Sequence, residues 1–308
     1  MAERVIAVVG PTAAGKSELS LRLSLALGGE VVNADSMQLY AGMDIGTAKL
    51  SLAQRRGVPH RLLDIWDVRQ AASVAEYQRL ARAAITGIQA RGRVPVLAGG
   101  SGLYLRAALD NLEFPGTDPV VRDRLEAELA VTGPAVLHAR LAALDPAAAT
   151  AILPSNGRRI VRALEVIEVT GRPFAAVLPR YESRYPVVQI GLRVDRCELD
   201  RRIAERTARM WRQGLVDEVA ALERAGLREG RTASRALGYA QVLRFLAGEC
   251  TQDEARAQTI LATRRFARRQ EAWFRRDPRV IWLAAGPGDG DALLGKALAA
   301  CAPVDDER

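Results

Sequence analysis

The chain has 308 residues, of which 49% are hydrophobic and 26% charged, enough apolar material for one large or two modest cores and too much for a disordered protein. Lysine and arginine (44) outnumber aspartate and glutamate (36), giving a formal charge of +8, a balance that suits a polyanion such as RNA or simply solvated faces. Cys197, Cys250 and Cys301 form no paired spacing, the run at 5–9 is too short for a signal core, and no stretch nears the ~20 apolar residues of a membrane span; a cytoplasmic, zinc-free, membrane-free monomer is expected.

The apolar run 5–9 predicts a strand, and G-P-T-A-A-G-K-S at 10–17 follows it directly, matching G-x-x-x-x-G-K-[ST] in the strand-to-helix context that gives the motif its meaning. Gly10, Pro11, Thr12, Ala13, Ala14, Gly15, Lys16 and Ser17 are thus a candidate phosphate cradle. Inward-turned amides and the following helix N-terminus meet the anion, Lys16 neutralises terminal phosphate charge, and the Ser17 hydroxyl takes a place on Mg²⁺. Leu19, Leu23 and Leu27 stand at helical spacing and predict a helix over 17–27.

Further along, 30–34 is a short strand leading to Asp35 and Ser36, 74–90 a helix, and 94–98 a strand closed by Gly99-Gly100-Ser101-Gly102. Strands at 187–194 and 279–283 complete an α/β fold, a phosphate-loop NTPase-like parallel sheet with flanking helices. Ligands in such sheets sit beyond the carboxyl ends of the strands, which brings Asp35 and Ser101 beside the phosphate loop.

Residues 115–186 read as an all-helical insertion, punctuated by prolines, between core segments 1–114 and 187–308. Within it 156–171 is an amphipathic helix ended by Gly171, with Arg158 and Arg162 on its polar face. The pattern is again helical over 199–222 and 236–274. Arg264 and Arg268, like Arg265 and Arg269, stack at i,i+4, a repulsion that an anion beside the helix would relieve. Phe266 and Trp273 read as core contacts, 286–290 as a loop, and the acidic tail 305–308 as a disordered end. Phosphate binding alone leaves the reaction open.

The segment N-A-D-S-M-Q-L-Y-A-G-M-D-I-G-T-A-K at 33–49 resembles the signature of bacterial tRNA dimethylallyltransferases, also called tRNA isopentenyltransferases. The resemblance continues, collinear, through P-H-R-L-L-D at 59–64, R-G-R-V-P-V-L-A-G-G-S-G-L-Y at 91–104, R-R-I-V-R-A-L-E-V at 158–166, M-W-R-Q-G-L-V-D-E-V at 210–219, R-A-L-G-Y at 235–239 and the arginine-rich run near 264–276. It covers nearly the whole chain.

Membership implies transfer of a dimethylallyl group from dimethylallyl diphosphate to N6 of the adenosine 3′ of the anticodon, position 37, in tRNA. By this resemblance the loop from Thr12 to Ser17 holds the diphosphate with Mg²⁺, Asp35 is the catalytic aspartate, Ser101 is the hydroxyl beside the reacting carbon, and Arg235 grips the diphosphate. Asp35, Ser36, Met37, Gln38, Ser101, Arg122, Arg158, Arg159, Ile160, Val161 and Arg162 match tRNA-contacting positions. Three departures stand out: Ser101 replaces the usual threonine, Arg61 follows His60 where many relatives have a second histidine, and Ala41 occupies a commonly basic position. His60 is read as a core or loop hydrogen-bonding residue.

The alternative is an ATP-dependent small-molecule kinase, against which the strand at 94–98 ends in Gly-Gly-Ser with no aspartate to organise Mg²⁺. A non-catalytic RNA-binding protein is a third reading, disfavoured by the joint presence of Lys16, Ser17 and Asp35.

Overall fold

A computed structural model describes residues 4–174 and 181–302; the tail at 305–308 lies outside the described residues. Two compact units divide the chain, Met1–Asn111 with Ser183–Arg308, and Leu112–Glu182.

The first unit is built on strands β1 (Val5–Val9), β2 (Glu30–Asn33), β3 (His60–Arg61), β4 (Pro95–Ala98), β5 (Val187–Arg193) and β6 (Val280–Ala284), paired in the order β3-β2-β4-β1-β5-β6, every pairing parallel. Helices α1 (Lys16–Leu27), α2 (Val74–Ala90) and α3 (Gly102–Leu109) accompany its first strands. Ile6 and Val8 of β1 join Leu19 and Leu23 of α1 in one buried cluster, while Val5, Ala7 and Val9 are equally buried on the opposite face. A parallel sheet covered on both sides requires such an all-apolar central strand.

The second unit contains helices α4 (Pro119–Thr132), α5 (Pro134–Leu144), α6 (Pro146–Ala151) and α7 (Gly157–Thr170) around Leu125, Leu137, Leu141, Ile160 and Leu164. The prolines that punctuate this stretch start its helices: each of the first three opens on proline, where the missing amide costs nothing. Asp118 caps α4 and Asp145 caps α6 through their side chains.

The first unit resumes with α8 (Arg196–Arg212), α9 (Leu215–Arg224), α10 (Tyr239–Leu246), α11 (Gln252–Phe274) and α12 (Gly290–Cys301). The helical stretch expected over 199–222 is therefore two helices, because Gly214 takes a left-handed φ of 96° between them. That over 236–274 divides likewise, where Thr251 and Glu254 form a reciprocal cap that starts α11 anew. Phe266 and Trp273, expected in the core, are only half-buried; the Arg269 guanidinium lies 5.8 Å from the Phe266 ring centroid. No helix among the described residues is long and apolar enough to cross a membrane.

Candidate active site

The loop between β1 and α1 turns through Ala13 (φ 65°) and Gly15 (φ 99°), which leaves α1 to start at Lys16 with its first amides unused by any side-chain cap. Such a start is an anion site by geometry and dipole. Lys16 Nζ donates to Pro11 O at 2.8 Å and so folds back over the loop. Burial pushes its ammonium down to about 8, against the attraction of Asp35 and with help from the positive Arg206. An anion would restore the charge.

The loop forms one wall of a cleft of about 380 Å³ whose lining includes Thr12, Lys16, Ser17, Asp35, Gln38 and Arg206. Asp35 follows β2 and is held by Asn33, whose Oδ1 accepts from Asp35 N at 2.9 Å and whose Nδ2 donates to Asp35 O and to Leu62 O, each at 3.0 Å. The Asp35 Oδ1 accepts from Met37 N at 3.0 Å, an Asx turn that engages one of its two carboxylate oxygens. The local turn and the presence in the cleft coexist.

Ser101 follows β4 and is tied to the Asp35 segment rather than to the cleft lining: its Oγ accepts from Ser36 N and donates to Ser36 Oγ, both at 3.2 Å. Gln38 donates to Thr47 O at 3.1 Å. His60 lines the cleft with Nδ1 2.9 Å from Val58 O, in β3, a strand of two residues with no apolar run to announce it. Arg61 beside it donates to the buried Glu30 at 2.8 Å, an ion pair shared with Arg91 and Arg93.

Arg235 departs from expectation. It is exposed in the short turn Ala233–Arg235 and lies outside the residues that line the cleft. A guanidinium that does touch the phosphate loop is that of Arg206 of α8, which donates through Nη2 to Thr12 Oγ1 at 2.7 Å while its buried Nε has no acceptor among the described residues. Sequence reading passed over Arg206 because arginine recurs throughout that helix. The available signal was the spacing of Arg202, Arg206 and Arg209, at i, i+4 and i+7, which puts all three along the cleft.

In the second unit, Arg158 and Arg159 are exposed near the start of α7. Ile160 and Val161 are buried in that unit's core, so these two expected tRNA contacts have no side chain at the surface: the apolar stripe of the amphipathic helix turns them inward. Arg162 donates to Pro115 O (2.7 Å), Gly116 O (3.2 Å) and Glu165 Oε2 (2.9 Å), and Arg122 donates through Nε to the same carboxylate oxygen at 3.1 Å. Glu165 is fully buried, and the two arginines neutralise it.

Fold and cleft together define a phosphate-loop fold whose uncapped helix start and Lys16 share a cleft with a carboxylate. A family model described as IPP transferase matches residues 38–277. The tRNA dimethylallyltransferase of Streptomyces avermitilis is 72% identical over 297 residues, covering 96% of this chain and 95% of the relative. That of Thermobifida fusca is 70% identical over 300 residues, covering 96% and 93%. The full-length tRNA isopentenylpyrophosphate transferase of Bacillus halodurans, a crystal structure, superposes with a TM-score of 0.70 at 40% identity over 97% of this chain and 98% of that one. A eukaryotic dimethylallyltransferase crystallised while acting on tRNA shares the fold, with a TM-score of 0.82 at 24% identity over 99% and 82% of the two chains. The chain belongs to the tRNA dimethylallyltransferase family, the IPP transferases.

Proposed function

We propose that this chain transfers the dimethylallyl group of dimethylallyl diphosphate to N6 of the adenosine 3′ of the anticodon in tRNA. The observation that carries the reading is the convergence of Lys16, Arg206 and Asp35 on one cleft at the carboxyl ends of β1 and β2, in a chain 70% identical to an enzyme of that name.

The adenine amine is a weak nucleophile, its lone pair delocalised into the ring. Asp35 accepts the N6 proton as the N–C bond forms, and the C–O bond to the diphosphate breaks with its electron pair leaving on oxygen. Lys16, the loop amides and the Arg206 guanidinium meet the charge that develops there. The Ser17 hydroxyl in the cleft offers a hard oxygen donor that fits Mg²⁺, and among the described residues no group of three or more His, Cys, Asp or Glu could hold an ion alone, so the diphosphate would supply other ligands. When bound, Mg²⁺ neutralises diphosphate charge. The base reaches this cleft by leaving its stack, and exposed arginines such as Arg158 and Arg159 are suited to hold the RNA backbone.

Incubation with labelled dimethylallyl diphosphate and unmodified tRNA, beside a parallel incubation with ATP, tests the reading: label in tRNA with release of pyrophosphate supports it, and ATP-dependent phosphoryl transfer without tRNA labelling defeats it.

A further inference from the structure

Two loops must keep a fixed separation for this transfer: the phosphate loop, which holds the leaving diphosphate, and the turn 99–102, which carries Ser101. They leave adjacent strands. The β1–β4 ladder pairs Ile6 with Val96, Ala7 with Leu97 and Val8 with Ala98, and its last bond is Gly99 N to Val8 O at 3.3 Å. Beyond that bond a side chain from a distant helix ties the two loops together. Gln270 of α11 accepts from Thr12 N at 2.8 Å and donates through Nε2 to Gly100 O at 3.0 Å.

Gln270 is only 5% exposed, so both ends of its amide are committed in a water-poor setting. The turn is cut to receive it. A Cβ at Gly100 would come within 2.1 Å of Gln270 Nε2, and one at Gly102 within 2.0 Å of Trp273 Nε1. Ser101 thus stands between two positions where α11 presses directly on backbone. On the other side Ser36 N and Oγ hold the Ser101 hydroxyl.

We propose that Gln270 is a positioning residue for the transfer: it ties the phosphate loop to the Ser101 turn, and so sets the distance between the departing diphosphate and the Asp35–Ser36 segment that the Ser101 hydroxyl holds. The proposal rests on the prenyl-transfer reading above. Both ends of the Gln270 amide are taken by backbone and the residue is outside the cleft lining, so its loss acts on geometry rather than on charge. Misplacing reacting groups by ~1 Å costs on the order of 10²-fold in rate, whereas the diphosphate still finds Lys16 and the loop amides.

The test compares wild type with Gln270→Met, which keeps the reach and loses both bonds, Gln270→Glu, which can accept from Thr12 N but cannot donate to Gly100 O, and Gly100→Ala, which forces Gln270 aside. Single-turnover prenyl transfer at saturating dimethylallyl diphosphate and tRNA is measured beside calorimetric affinity for inorganic pyrophosphate and beside the thermal midpoint. All three variants are expected to lose roughly 10²-fold in single-turnover rate with pyrophosphate affinity within about threefold of wild type, the signature of an interaction needed only in the transition state. Should Gln270→Met fail to fold, Gln270→Glu carries the same expectation. A rate per folded enzyme close to wild type, or a rate loss matched by an equal loss of pyrophosphate affinity, overturns the proposal. A wild-type enzyme that transfers no prenyl group overturns the underlying reading instead.

Discussion

Arg206 Nη2 donates to Thr12 Oγ1 at 2.7 Å, so a side chain from α8, nearly two hundred residues further along the chain, reaches the phosphate loop as a second cation beside Lys16. Its buried Nε has no acceptor among the described residues. Arg206→Gln is expected to weaken pyrophosphate binding by about 10- to 100-fold, the loss of a charged hydrogen bond of ~1.5–3 kcal/mol. Arg206→Lys should recover only part of this, since a point charge cannot reproduce the planar fork. Calorimetric titration with pyrophosphate reads both.

Lys16 gives a pH signature. With its ammonium pushed down to about 8 by burial, the free enzyme loses that positive charge as pH rises through about 8, and pyrophosphate affinity should fall over the same range. The folded-state value is lower than the unfolded one, so the folded protein binds fewer protons between about 8 and 10.5. Stability from this group therefore rises across that window and carries its full penalty below it. Lys16→Met should accordingly match or exceed wild type in thermal midpoint at pH 7, with the difference closing towards pH 10.5, while prenyl transfer is nearly abolished. Melting curves across pH and single-turnover rates decide both halves.

Asp35 serves a turn and a cleft at once, and Asn separates the two. Asp35→Asn keeps an oxygen for Met37 N, now bonded at 3.0 Å, but gives up the proton acceptor. The transfer step should slow by roughly 10²- to 10⁴-fold with substrate affinities little changed. A wild-type-like rate at saturating tRNA would leave Asp35 only its role in the turn.

Much of the scaffold is legible in the chain because its signals are local. The helix expected over 74–90 is α2 at both ends, and β1 with its loop is a contiguous motif. What stayed hidden depends on tertiary contact. The two residues of β3 form a strand only because β2 offers them an edge, and α12 carries two glycines, Gly290 and Gly295, that blur a helical pattern. Among the residues that line the cleft, the phosphate loop and Asp35 are readable from motif, but Arg206, and Gln270 outside that lining, are one arginine and one glutamine on long arginine-rich helices. The spacing of Arg202, Arg206 and Arg209 marks a helix face but does not single out Arg206, and nothing nearby in sequence marks Gln270.

The arginines of α7 and α4 divide by partner. Arg162 and Arg122 neutralise the buried Glu165, so Arg162→Ala should destabilise the helical unit by on the order of 1–3 kcal/mol, the cost of depriving a buried charged group of a bond. Arg158 is exposed, and Arg158→Ala should leave stability unchanged and weaken tRNA binding while flattening the slope of log K against log salt by about 0.7–0.9. Denaturant melts and salt titrations of tRNA affinity distinguish the two behaviours.

The most direct measurement is mass analysis of the anticodon-loop nucleosides after the purified chain is given unmodified tRNA, dimethylallyl diphosphate and Mg²⁺ in the absence of ATP. The expected result is one dimethylallyl group on N6 of the adenosine 3′ of the anticodon, with one pyrophosphate released per group transferred. Unmodified adenosine at that position, together with ATP hydrolysis or phosphoryl transfer when ATP is supplied, would contradict it.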